Sequence, residues 1–352
     1  MSVPLRAQPA LDVAALVELR RSSRRRRERA GRALAAIGAG AVLASVLAIP
    51  VFLLFELLPS IAVPDGTGER LGVLLSGTFK ASVLAVLLAI PVGLAAAVHL
   101  VCFSTPLQRS RWRPVLDLLA AIPTVVLGLI ALTWLAPWLQ SRIATLLVLA
   151  AAVLAAVLAG FAVFGQRLRR HPAWRPFVAL ALGLAAGVAV IAWDPLAGSV
   201  EADTPWNAVL VGLALGVTAV PLICTVGADA LQQAWDRHVD AAVALGASRW
   251  QALRSLVLPA AAPGLAAAAL LALGRCAGET MIVLMASGNT PLASADPRDG
   301  LRSLSAELAL SLPVAERGGA LWRMLLIATL LLFVLSFACH LAAARLRARA
   351  AS

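Results

Sequence analysis

What most constrains this chain is a series of charge-poor apolar blocks, each about twenty residues long, set off by polar connections. A helix of that length crosses a hydrocarbon core of about 30 Å. Inside lipid, only helices and closed barrels satisfy their own backbone polar groups. The blocks fall at about 33–58, 77–101, 115–139, 143–165, 177–193, 207–227, 260–286 and 321–344. They predict an all-α polytopic membrane protein with eight spans. The composition agrees, at 61% hydrophobic and 14% charged. Soluble chains run nearer 45–50% apolar and about 25% charged. A soluble enzyme, a fibrous protein and a disordered tail are all excluded.

Residues 1–32 form an Arg-rich leader, densest at Arg24, Arg25, Arg26 and Arg27. The block that follows is too long for the apolar part of a signal peptide. Glu56 and Pro59 stand where a small-residue cleavage site would be, so it is expected to stay as a first span. The net charge is +12, a value that in isolation points to nucleic acid. Its distribution points elsewhere. With both termini placed inside, the inner connections hold 22 of the 30 basic residues and the outer ones hold 5. That bias is the positive-inside pattern. The leader then serves orientation and contact with anionic membrane lipid, and no nucleic-acid partner is expected.

Four cysteines, Cys102, Cys224, Cys276 and Cys339, lie in or beside apolar blocks without metal-ligand spacing, and are read as small hydrophobes. His99, His171, His238 and His340 do not cluster, so no metal site is expected. Lys80, at the start of the second span, is expected to snorkel outward. The glycine-rich phosphate loop ending in Lys-Ser or Lys-Thr does not occur in the chain. It is therefore not expected to hydrolyse ATP itself.

One connection differs from the rest. Residues 228–259 alternate polar residues with apolar ones at Val239, Ala242, Val243, Leu253, Leu256 and Val257. Spacings of three and four predict two short amphipathic helices, broken at Gly246. Within this segment stand Asp240-Ala241-Ala242, then three residues, Gly246, nine residues, and Leu256-x-Leu258-Pro259. The spacing resembles the EAA loop of ABC-importer permeases, with Asp in place of Glu and Leu in place of Ile. The resemblance implies a helix pair that docks into a cleft of an ATPase subunit and receives its closing motion. It also implies that Pro259 separates this loop from the next span.

The seventh block holds Arg275 and Glu279 inside an apolar run. A lone charge in mid-membrane costs about 2.5–3.5 kcal/mol on insertion scales. At i, i+4 on a continuous helix the two would share a face and neutralise each other. Two readings stand: an ion pair that fixes packing, or an anion pathway in which guanidinium offers forked donors to an oxyanion. The run Gly274-Arg275-x-x-Gly278-Glu279-Thr280-Met281-x-Val283-Leu284-Met285-x-x-Gly288-Asn289 closely resembles the phosphate-specific ABC permeases of the PstC type. Asp117–Pro137 resembles that family's segment with the pattern Ile-Pro-Ser-Val-Val-x-Gly-Leu, and Arg302–Arg323 its external loop before the last span.

The resemblance covers roughly 71–142 and 207–345 and implies a type I ABC importer (MetI-like) fold. On this reading, 1–32 is a basic leader and 33–70 the first span with its external loop. Residues 71–345 form the permease domain, containing an inserted two-span hairpin at 143–193 and the coupling loop at 228–259. The implied function is phosphate import across the bacterial inner membrane. Arg275, Glu279 and Thr280 would line the pathway, and Asp240, Ala241, Ala242, Gly246, Leu258 and Pro259 would form the coupling loop. The implied partners are a PstA-like permease, a PstB-like ATPase dimer holding ATP and Mg, and a PstS-like phosphate-binding protein. No cofactor is expected on this chain. A permease for another oxyanion (molybdate or sulfate) and a secondary transporter are the alternatives.

Overall fold

A computed structural model describes residues 13–58, 66–140 and 205–351. The expected hairpin at 143–193, and with it two of the eight spans, lies outside the described residues. Among the described residues the secondary structure is helical, apart from one isolated bridge between Gly288 and Leu301.

The chain divides into two compact units, 1–61 and 62–352. The first consists of α1 (Val13–Leu57), which begins inside the Arg-rich leader and runs without interruption into the first apolar block. Its Gly31–Leu57 portion is long and apolar enough to cross a membrane.

The second unit opens with α2 (Thr67–Val98), extended by a π-helical turn over His99–Phe103. Next come α3 (Pro106–Ala121), α4 (Thr124–Ile130) and, after a π-turn at Ala131–Leu135, α5 (Ala136–Gln140). After the undescribed segment come α6 (Ala208–Ala244) and α7 (Arg249–Ala252). A π-turn at Leu253–Val257 joins α7 to α8 (Leu258–Ala277), which is followed by α9 (Met281–Ala286). The unit closes with α10 (Leu304–Ser311) and α11 (Ala320–Ala351). Thr67–Phe103, Ala208–Ala244, Arg249–Ala277 and Ala320–Ala348 are of spanning length.

The core forms where α2 and α6 run parallel. Because lipid tails are as apolar as the side chains, no hydrophobic drive brings membrane helices together; they associate by close packing, which small residues permit. A Cβ on Gly212 would stand 2.9 Å from Leu84 Cβ, and one on Gly93 would stand 2.8 Å from Ile223 Cγ2. Both lie well inside van der Waals contact, so glycine is what brings these helices together. Ala81, Ala85, Ala89, Leu215, Ala219 and Ile223 fill the seam, each almost wholly buried.

Two expected spans are not straight. The block at 115–139 bends by 79° between Ala121 and Thr124. Pro123 carries no N–H and disfavours helical geometry in the residue before it; Ile122 duly takes an extended conformation (φ −60°, ψ 126°). The block at 260–286 ends its helix at Ala277 and resumes at Met281. Pro91 and Pro221, in contrast, lie inside unbroken helices.

Candidate functional site: a helical elbow and a broken span

The Asp240–Pro259 segment is an elbow rather than a separate pair of short helices. Its first arm is the end of α6, a rod of 37 residues, about 55 Å long at 1.5 Å per residue. Its second arm is α7, continuous through the π-turn into α8. Pro259 does not divide arm from span: it lies just after the π-turn, inside the continuous Arg249–Ala277 helix, and does not interrupt it. Gly246 makes the corner at φ +85°. Its N–H donates to Val243 O at 2.9 Å and that of Ala247 to Ala242 O at 3.0 Å, the paired bonds of a Schellman end. Ser248 then caps α7: its Oγ accepts from Gln251 N–H at 3.3 Å, and Ser248 N–H donates to Gln251 Oε1 at 2.8 Å. The chain is thus terminated and restarted within five residues.

One face of the elbow is buried. Val239, Ala242, Ala252, Leu253 and Val257 pack with Leu100, Val101 and Cys102 of α2 and with Cys224, Ala228 and Leu231 of α6. Ala242 belongs to this face, and Leu258 is half-buried beside it. Asp240, Ala241, Gly246 and Pro259 are exposed. Leu245, at the corner, is 89% exposed and Val243 49%. An apolar tip on a doubly capped corner is suited to seat in a groove of another protein.

Arg109, in α3, was not foreseen from the sequence. Its Nε and Nη2 donate to the carbonyls of Leu100 and Val101 at 3.1 and 2.9 Å, and Nη1 donates to Gln232 Oε1 at 2.8 Å. Gln232 passes the contact to Asp236 Oδ1 at 2.6 Å. One guanidinium therefore closes the end of α2, whose last carbonyls lack helical partners, and ties it to the arm of the elbow.

At the far end of α8 the helix stops. Gly278 N–H donates to Arg275 O and Glu279 N–H to Cys276 O, both at 3.2 Å, a tight turn that closes the helix. The break removes the i, i+4 relation between Arg275 and Glu279. Among the described residues they form no ion pair within 4.0 Å, against the sequence expectation of mutual neutralisation on one helical face. Arg275 is exposed, while Glu279 and Thr280 are half-buried. Thr280 begins α9, with Leu284 N–H donating to its carbonyl at 2.8 Å. A Cβ on Gly274 would stand 3.0 Å from Cys339 Cβ, so α11 presses against the end of α8 and leaves Arg275 directed elsewhere.

A second network holds the broken span against the loop that follows. Ser305 Oγ donates to Glu279 O at 2.8 Å, and Leu304 N–H to Thr78 Oγ1 at 2.9 Å. Glu307, 7% exposed, accepts from Arg302 Nη1 at 2.9 Å and from Ser311 Oγ at 2.8 Å. Arg302 Nε also donates to Asn289 O at 2.8 Å. Arg302 and Glu307 are five apart across a turn, a separation no helical or strand pattern reports. Lys80 does not snorkel freely: its Nζ is buried.

Long apolar helices carrying an exposed elbow at one end and a charged break at the other define a multi-pass membrane transport subunit. The family of binding-protein-dependent transport system inner membrane components matches residues 172–350, taking in the elbow, the break and the last span. The chain belongs to that family, and is an ABC-transporter permease. It is similar to the phosphate transport system permease protein PstC 2 of Mycobacterium tuberculosis, 29% identical over 287 residues, covering 77% of this chain and 76% of the relative. The phosphate transport system permease protein PstC of Mycobacterium leprae is 31% identical over 251 residues, 67% of this chain and 66% of that one. The probable ABC transporter permease protein YqgH of Bacillus subtilis is 27% identical over 280 residues, 78% of this chain and 71% of the relative.

Proposed function

We propose that this permease is the PstC-type subunit of an ATP-driven importer of inorganic phosphate. In that reading it pairs with a PstA-like permease, rests on a PstB-like ATPase dimer, and receives phosphate from a PstS-like binding protein. ATP and Mg are held by the ATPase. The observation that carries the reading is one continuous rod, Arg249–Ala277, with the elbow at its first end and exposed Arg275 in its last turn. At 1.5 Å per residue these 29 residues span about 43 Å.

Closure of the ATPase would push the elbow at Asp240, Ala241 and Gly246. Continuity through Leu258 and Pro259 would carry the push along the rod. The break at Gly278–Thr280 is where a stiff helix becomes a jointed one, so tilting the rod would reposition Arg275 relative to α9 and open the path. Arg275 would offer forked donors to phosphate oxygens. Glu279, four residues on, would limit how tightly the anion is held, and Thr280 would add a hydroxyl at the joint. An importer needs such restraint, because a site that binds too tightly does not release.

The test is phosphate uptake into proteoliposomes containing the whole complex. Arg275→Gln should lower the rate at least tenfold, and Arg275→Lys should retain more of it. Uptake at the normal rate in both Arg275→Gln and Glu279→Ala, at equal incorporation, removes the pair from the pathway.

A further inference from the structure

At the elbow end of the bundle, α6, α8 and α11 line an open-sided cavity of about 560 Å³, with Arg237 and Arg347 exposed at its surface. That volume lies in the range of small-ligand sites, about 300–1,000 Å³. Its wall brings together Asp229, Gln233, Arg237 and His238 from α6 and Arg347 from α11. The two guanidiniums stand 110 positions apart in sequence yet face one void. Arg345, two residues before Arg347, does not line it. A basic residue that only sets orientation has no need to converge with another on a cavity.

The rest of the lining is small. Ala260, Gly264, Ala344 and Ala348 leave the space open. Gly264 also sets its floor: a Cβ there would stand 2.5 Å from Ala230 Cβ, so α6 and α8 touch below the cavity. Asp229 is shared with Arg113, at 3.9 Å. The lining thus brings two guanidiniums, Arg237 and Arg347, and one carboxylate, Asp229, to a single void. Forked guanidinium donors suit a tetrahedral oxyanion with several acceptor oxygens. Basic pockets between membrane helices at the cytoplasmic surface are suited to lipid phosphates.

We propose that this cavity binds a phosphoryl group at the cytosolic surface, held by Arg237 and Arg347. The cytosolic placement rests on the orientation proposed above; the binding itself does not. Two sources share this chemistry, the headgroup of an anionic phospholipid and free inorganic phosphate. The test uses the purified full-length chain in mild detergent, in two arms. In the first, retention of phosphatidylglycerol is counted by native mass spectrometry. In the second, delipidated protein is titrated with inorganic phosphate by calorimetry.

The Arg237→Gln/Arg347→Gln double variant should bind at least tenfold more weakly in whichever arm shows binding. Ala344→Phe, which fills the cavity and keeps every charge, should do the same, so the outcome does not hang on the folding of one variant. Arg345→Gln should bind as the unaltered chain does. Loss in the lipid arm assigns the site to a headgroup, and loss in the phosphate arm alone assigns it to the free ion. Binding in neither arm, binding that survives both cavity variants, or an equal loss in Arg345→Gln overturns the proposal. These readouts need no transport, so they stand or fall apart from the phosphate-import reading.

Discussion

Glu307→Ala is the perturbation whose cost the structure specifies most fully. The carboxylate is 10% exposed at its side chain and bonds Arg302 at 2.9 Å, whose own side chain is 26% exposed. It also accepts from Ser311 Oγ at 2.8 Å. Removing one partner of a fully buried pair costs about 3–5 kcal/mol, and exposed pairs are worth under about 1 kcal/mol. Arg302 is partly wetted and keeps its bond to Asn289 O. An intermediate cost of about 2 kcal/mol follows, which is about a 30-fold rise in the population of the locally opened state at 1.36 kcal/mol per tenfold.

Cys276 reports on that opening. It is a free, buried thiol three residues before Glu279, whose carbonyl Ser305 holds. The labelling rate of Cys276 by a thiol reagent, read by mass spectrometry on the detergent-purified chain, should rise about 30-fold in Glu307→Ala. Cys102, buried in the cluster at the elbow end, should keep its rate. Arg302→Ala should have a similar effect, and the double variant should cost clearly less than the sum, since the two residues interact directly. A change under threefold at Cys276, or an equal rise at Cys102, would refute the reasoning. The first result would mean the pair is not stabilising, and the second that it acts only through global unfolding.

Other outcomes follow from particular positions. Gly246→Val should cost about 1–2 kcal/mol of elbow stability, because a β-branched residue resists φ +85°; faster hydrogen exchange at the amides of 246 and 247 would register it. Gly93→Ala should cost about 1–3 kcal/mol by driving a Cβ to 2.8 Å from Ile223, seen as a lower thermal midpoint. Asp296 is held at a pKa of about 2 by hydrogen bonds from Arg298, with Arg298 Nε donating to its two oxygens at 3.0 Å. A depressed carboxylate pKa stabilises the folded loop above the ordinary value and loses that contribution as pH falls toward 2. Arg298→Gln should therefore move the Asp296 titration up toward 3.8, as followed by carboxyl carbon NMR.

How much the sequence disclosed depended on the range of the determinant. Span positions were legible because membrane thickness imposes a length on any apolar helix, and the blocks at 77–101, 207–227 and 321–344 fall on α2 with its π-turn, on α6 from its N-cap, and on α11. The corner at Gly246 was legible because a left-handed residue there favours glycine. The continuity of the elbow with both spans was not, since an amphipathic stretch feeding an apolar one looks the same with or without a joint. The break at Gly278–Thr280 was also hidden, because three residues within an apolar run leave its hydropathy unchanged. The bond from Ser305 to the Glu279 carbonyl joins residues 26 apart, and no local period reports such a contact. The Arg302–Glu307 pair and the Arg109 staple escaped for the same reason. Arg275 and Glu279 were found by their cost in a membrane, but their relation was misjudged once the helix was taken to continue.

The central claim is best tested by transport in proteoliposomes containing the purified complex, its ATPase and its binding protein. Uptake of labelled phosphate, molybdate and sulfate is measured with and without ATP on the ATPase side. Phosphate uptake that requires ATP and is lost when Gly246 and Ala241 are replaced together is the expected result. Uptake that proceeds without ATP, or that carries molybdate or sulfate and leaves phosphate behind, would contradict it.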